Sequence, residues 1–213
     1  MTEIIVIVCL GALAWLGYVF YRNRGPASKT GAAASAPPGI EDVRPGAVIS
    51  LSRVGPELKD FDIRIIARHR YREGGFEWTE LEGEAADGPV WIEVERDDEL
   101  SVSIALRRLE LADVGLDPAA LDAFVKADEG RIEADGGPYE YEDHGRAEFL
   151  RNGDPARAEP VAYWDFESAD ARRYLSVERW SADDYQVHLS EALSPGQIEV
   201  FSRGEGEEAH EFR

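Results

Sequence analysis

Between Arg44 and Arg203 apolar and polar residues alternate with a period of two over most of the chain, the pattern of strands that bury one face. Ile63, Ile65, Ala67, His69 and Tyr71 fall on one face of one run, Val90, Ile92 and Val94 on one face of a second, and Leu100, Val102, Ile104 and Leu106 on one face of a third. Further strands are expected over residues 139–142, 147–151, 161–166, 174–180, 185–189 and 198–201. Turn-forming clusters separate them: REGG, ADGP, DDE, EDHG, NGD and SADD. Only DPAALDAFVKADEG has a helical period. Asp117 stands as N-cap, Pro118 in the first helical position, Leu121, Phe124 and Val125 on one stripe, and Gly130 just past the end. The fold class expected is mainly β: antiparallel units with one short connecting helix, in a domain over residues 44–203.

Two stretches of this domain resemble each other. WIEVER (residues 91–96) and YLSVERW (174–180) carry Val-Glu-Arg at the same place, and aromatic, Gly-turn and Trp-plus-acid pieces precede each: YREGGFEWTELE in one half, FLRNGD and VAYWDFE in the other. Either β-rich, Glu-rich strands align by chance or the domain holds two pseudo-repeats, about 44–112 and 131–203. The repeat reading makes Trp78 equivalent to Trp164, Trp91 to Tyr174 and Val94 to Val177.

The first residues have a different pattern. Ile4 to Tyr21 contains no charged residue, and eighteen helical residues cover about 27 Å, close to the hydrocarbon thickness of a bilayer. The preceding Met-Thr-Glu lacks the basic residues of a signal peptide, and Arg22, Arg24 and Lys29 follow the run. The expectation is one transmembrane anchor over residues 1–22 in the cell (inner) membrane, with the domain after it in the cytoplasm because basic flanks stay inside. Residues 23–43, rich in Gly, Ala, Ser and Pro, are expected to be a flexible linker, and residues 204–213 an acidic disordered tail.

Charge narrows the partners. The chain carries −20; Arg22, Arg24 and Lys29 against Glu3 give +2 in the first thirty residues and leave −22 after Thr30. Phosphate binding requires a basic face, so nucleic acid is not an expected partner. RHRYR (residues 68–72) is the local exception, read as a solvated or salt-bridged strand face. The single cysteine, Cys9, permits no internal disulfide. His69, His144, His188 and His210 lack ligand spacing, and no phosphate-binding Gly loop or Gly-x-Ser-x-Gly elbow occurs. No metal, cofactor or catalytic residue is assigned. Glu95 and Glu178 could be paired as the two carboxylates of an enzyme, but exposed strand glutamates beside Arg96 and Arg179 are the simpler reading.

The repeated strand does suggest a ligand. With Ile92 and Val94 turned to a core, Trp91, Glu93 and Glu95 share the other face; with Leu175 and Val177 turned inward, Tyr174, Ser176, Glu178 and Trp180 do likewise. Rings beside carboxylates suit an organic cation, making Trp91, Glu93, Glu95, Tyr174, Glu178 and Trp180 the candidate site. The simpler reading is that these rings cover a second core layer or a subunit contact.

YWDFESADARRYLSVERW with the following YQVHLSEALSPGQIEV, and IARHRYREGGFEWTELEGE through WIEVER, are similar to the bacterial domain of unknown function 4178 family over roughly Val48 to Phe201. The resemblance supplies no catalytic residues, since that family has no established activity. It implies company with small membrane proteins and polyamine-synthase-like proteins in membrane stress. Expected partners are therefore the lipid bilayer through Ile4 to Tyr21, a membrane-protein or polyamine-synthase-like protein, and a polyamine ligand. The function expected is a single-pass membrane-anchored, non-enzymatic interaction or ligand-binding module.

Overall fold

A computed structural model describes residues 39–202 and 204 of the chain. The expected membrane span, most of the expected linker and nearly all of the tail lie outside these residues. No helix among the described residues is long and apolar enough to cross a membrane.

The described residues form a mainly β, antiparallel domain with one α-helix. Its strands are β1 (Val48–Val54), β2 (Lys59–Glu73), β3 (Phe76–Ala85), β4 (Gly88–Arg96) and β5 (Leu100–Leu109), then helix α1 (Pro118–Ala127), then β6 (Arg131–Ala134), β7 (Gly137–Leu150), β8 (Ala158–Glu167), β9 (Arg173–Arg179), β10 (Tyr185–Ala192) and β11 (Ile198–Val200). Two four-stranded meanders, β2 to β5 and β7 to β10, join along β5–β10. They also join where Arg70, Tyr71 and Arg72 of β2 pair with Leu150, Phe149 and Glu148 of β7. The second junction closes eight strands into a ring, which removes the free edges an open meander would expose.

Period-two alternation then sends side chains to two sides of the ring wall. Those turned away from the lumen build two apolar layers. One packs Ile49, Leu51, Ile63, Ile65, Leu81, Ile92 and Ile104 beneath Ile40 and Val43; the other packs Phe166, Leu175, Val177, Val187 and Tyr139 beneath α1 and its Leu121. Ile40 and Val43, placed in the linker from composition, are 5% and 0% exposed, so the folded domain begins before Arg44. Asp117 caps α1 by accepting from the Ala120 amide at 2.8 Å, with Pro118 in the first turn. The helix ends with Asp128 in the left-handed region, two residues before the expected Gly130.

Two β-bulges correct the expected faces. On β2 the register shifts between Ile65 and Ala67, so Ile63 and Ile65 join an outer layer while Tyr71 and Glu73 turn to the lumen. The five residues expected on one face are therefore split, because the extra residue, Ile66, reverses the alternation beyond it. On β7 the shift falls between Tyr141 and Asp143. Residues 139–142 and 147–151, expected as two strands around an EDHG turn, are parts of the single strand β7. Asp143, His144 and Gly145 stay in the ladder opposite Asp165, Trp164 and Tyr163, and Gly145 is held there because a Cβ would collide with Tyr163 and Glu73.

At one end the lumen is plugged. Tyr71, Ala147, Phe149 and Val161 pack with Trp78, Tyr163 and Trp180. Tyr71 stacks on Trp78 at 5.1 Å, and Phe149 meets Trp180 edge-on at 4.9 Å. His69, 4% exposed, ties the plug to the loop after β7: its Nδ1 accepts from the Asn152 amide at 3.0 Å, which leaves Nε2–H to donate to Glu82 at 3.1 Å. Asn152 is held at a φ of 55° by this bond and its neighbours. His69→Ala leaves that amide without its partner, and we expect a loss of about 1–2 kcal/mol in urea unfolding; an unchanged midpoint would show that the loop does not depend on the ring.

The RHRYR arginines stand on the outer side and are engaged as expected of a salt-bridged face. Arg68 donates to Thr79 at 3.1 Å, Arg70 pairs with Glu77 at 3.3 Å and Arg72 with Glu148 at 2.5 Å.

Candidate functional site

The interior of the ring is a cavity of about 740 Å³ to which all eight strands contribute, within the range of small-molecule sites. Its lining is neither apolar, as in small packed barrels, nor evenly charged. β4 presents Trp91, Glu93 and Glu95; β9 presents Tyr174, Ser176 and Glu178; β3 adds Glu80 and β8 adds Asp165. Among the described residues no lysine or arginine lines it. Arg108, at the end of β5, stands directly opposite His188 in the ladder, and its charge reaches Glu80 and Glu178.

Five of the six residues singled out from the sequence, Trp91, Glu93, Glu95, Tyr174 and Glu178, thus face one cavity from two different strands. Trp180 does not line it. Its ring is committed to the plug against Phe149, and its Nε1–H donates to Glu178 at 3.0 Å, so it behaves as the core-layer reading anticipated. Glu178 also accepts from the Tyr71 hydroxyl at 3.0 Å. Glu95 and Glu178, the carboxylate pair considered from the sequence, are lumen residues and not exposed strand glutamates; Arg96 turns the other way to Glu41, with Nε to Oε1 at 2.5 Å.

The alternation within β4 and β9 does not reveal the acids on the neighbouring strands, Glu80 of β3 and Asp165 of β8. Glu80 pairs directly with Glu93, and Asp165 with Ser176. The same rule carried to FEWTELE and YWDFE would have placed Glu80 beside Leu81 and Asp165 between Trp164 and Phe166 on the lumen side. Register also amends the matched positions of the two meanders. Aligning Trp91 with Tyr174 and Val94 with Val177 sets Thr79 against Trp164, because these are the partners of the two valines. Tyr163, not Trp164, then takes the place of Trp78, and both Trp78 and Tyr163 face the lumen.

Crowded carboxyls in such a space resist ionisation. Burial, followed by the charges of Asp165, Glu95 and Glu178, pushes Glu93 up to about 8. The Glu93 side chain projects into the lumen and is not packed within the wall, and the surrounding protein walls govern how poorly a charge is solvated there. Asp165 is pushed up to about 7 by burial, against the Ser176 hydroxyl that donates to it at 2.5 Å. Glu80 lies well above the usual carboxylate range through burial and the charges of Glu178 and Glu93. Glu178 is raised less freely, since burial works against the bonds from Tyr71 and Trp180. His188 is pushed down to about 4 by burial and Arg108, and its buried Nε2, 3.9 Å from Glu178, has no hydrogen-bond partner.

Chemically, the cavity can attract a cation, and a carboxyl pushed up by burial can donate a proton. Among the described residues no three His, Cys, Asp or Glu side chains are arranged to hold a metal ion. The profile of the domain of unknown function DUF4178 matches residues 57–195, which hold the complete ring from β2 to β10. The chain belongs to that family. It is also 28% identical over 172 residues to two uncharacterized proteins, Mb2628 of Mycobacterium bovis and Rv2597 of Mycobacterium tuberculosis, across 76% of this chain and 73% of each relative. No solved structure matches it.

Proposed function

We propose that this DUF4178 protein is a non-enzymatic binding module, tethered to the inner membrane through Ile4 to Tyr21 and held in the cytoplasm, that takes an organic cation into its acidic lumen. The observation that carries this reading is the gathering of Glu80, Glu93, Glu95, Asp165 and Glu178 in one cavity that no lysine or arginine among the described residues lines. Aromatic rings at Trp91 and Tyr174 complete the chemistry of a cationic site, each cation-to-ring contact contributing roughly 0.5–2 kcal/mol. A polyamine matches the lumen in carrying several ammonium groups to carboxylates on several walls. A polyamine-synthase-like or membrane-protein partner would supply or receive it.

Calorimetric titration of the purified full chain in nonionic detergent tests the proposal, with spermidine as probe at about 150 mM salt to suppress loose counterion attraction. The expected result is saturable binding that weakens at least about tenfold, or about 1.4 kcal/mol, when Trp91→Ala is combined with Glu178→Ala. No saturable heat, or an affinity unchanged by the double substitution, would overturn it.

An enzymatic reading draws on the placement of Glu93 and Asp165 in the lining of one cavity, where burial pushes both carboxyls up, the direction that suits a general acid. Nucleophilic chemistry is less well supported. Ser176 lies between Asp165 and His188 in the ladder, but its hydroxyl donates to Asp165 and His188 Nε2 is without a partner, so no acid orients a base toward the serine. Mass spectrometry of the probe after incubation with the protein separates the readings, since a binding module returns it unaltered.

A further inference from the structure

The lumen brings acid against acid where an ordinary site would bring acid against base. Glu80 and Glu93 are direct cross-strand partners on the same face, a geometry that sets their Cβ atoms about 4.5–5.5 Å apart. Asp165 and Glu178 face them from β8 and β9. Hydrogen bonds reach Asp165 from Ser176 and Glu178 from Tyr71 and Trp180. None of the described residues donates one to Glu80 or Glu93. Carboxyls that face one another across a ladder in a walled cavity oppose each other's ionisation, and an incoming positive charge relieves that opposition.

We propose that the lumen works by exchange: without a cation its facing carboxyls retain protons, and an entering organic cation displaces them into solvent. This rests on the reading of the lumen as a cation site and adds that binding is coupled to proton release. The step balances as positive charge in and protons out, with no bond made or broken beyond O–H.

The other groups facing the carboxyls do not supply the exchange. His188 on β10 is pushed down to about 4 and is neutral at working pH. Tyr71, Tyr163 and Tyr174 are raised and keep their protons. Glu73 is engaged by Tyr163 and the Arg146 amide. Glu142, Asp143 and Glu167, from β7 and β8, add negative charge to the lining and strengthen the hold on protons.

The test repeats the spermidine titration of the full chain at pH 7 in phosphate and in Tris, buffers that differ widely in ionisation enthalpy. The expected heats differ by an amount corresponding to about one proton released per ligand, and affinity rises about tenfold per pH unit for each such proton between pH 6 and 8. In Glu93→Gln with Asp165→Asn, checked for folding by circular dichroism, the proton count falls toward zero. Potentiometric titration without ligand gives a second reading: the unaltered chain should release about one to two more protons than this variant between pH 6 and 9. Saturable binding with equal heats in both buffers overturns the exchange and leaves the cation site standing. Absence of saturable binding overturns both.

Discussion

Truncating Phe166 to alanine lowers the stability of the domain by about 3–5 kcal/mol, the range for removing a fully buried aromatic side chain from a packed layer. Phe166 is 0% exposed and lies between α1 and the ring wall. Its ring meets Phe124 of the helix edge-on at 5.4 Å and Tyr141 of β7 edge-on at 5.7 Å. Helix α1 buries few other large groups, chiefly Leu121, so the cavity left by the substitution has little material with which to collapse. Urea unfolding of the full chain measures the loss from the shift in midpoint at constant slope. Phe76→Ala, at a residue 36% exposed, is the control and should change stability by under about 0.5 kcal/mol. A similar small change for Phe166→Ala would mean that α1 does not cover the sheet there.

Neutralising a lumen acid should stabilise the protein, and only at high pH. Asp165 holds its proton to about 7 when folded, against an ordinary value of 3.8. A folded-state value above the unfolded one contributes stability that is complete below about pH 4 and is lost as pH rises toward 7. A dry, isolated carboxyl so displaced would lose about 4 kcal/mol at about 1.4 kcal/mol per unit. Lumen water screens the charge, and we expect about 1–2 kcal/mol. Asp165→Asn, which keeps an acceptor for Ser176, should therefore raise the thermal midpoint by about 3–6 °C at pH 8.5 and leave it almost unchanged at pH 4. Glu93→Gln should act in the same direction, and the two together should gain less than their sum because each relieves the other. Destabilisation by Asp165→Asn at both pH values would mean that the carboxylate is ionised and structurally required.

That expectation also explains what kind of site the lumen is. Acids turned toward one another weaken the fold in the physiological range, and the ring could bury apolar side chains there as it does in its outer layers. Placing unfavourable charge where it is relieved only by a ligand is how binding sites depart from the rules that govern a core. The membrane tether and cytoplasmic position proposed for the protein would keep such a site near the bilayer without pressing a strongly acidic surface against it.

The properties legible in the sequence are those that depend on neighbours along the chain. Alternation in WIEVER and YLSVERW set Glu93, Glu95, Tyr174 and Glu178 on the face opposite Ile92, Val94, Leu175 and Val177, because successive side chains of a strand must point to opposite sides whatever it packs against. Asp117 and Pro118 announced the helix start because capping is satisfied within one turn. What the alternation could not say is which face is the lumen, since that depends on the ring closing. Closure rests on β2 residues 70–72 meeting β7 residues 148–150, a contact between segments far apart in sequence that no local pattern encodes. The bulges at Ile66 and Glu142 are equally silent: one extra residue leaves the composition of a strand unchanged but reverses every side chain beyond it, which is why Ile63 and Tyr71 were expected together and lie on opposite sides of the wall. Ile40 and Val43 read as linker because their neighbours are small and polar, and they became core only because β1 brings them over the apolar side of β2 to β5. The acidic lumen arises in the same way. Glu80, Glu93, Asp165 and Glu178 are ordinary strand acids one at a time, and only the tertiary pairing of four strands turns them into one shared cavity.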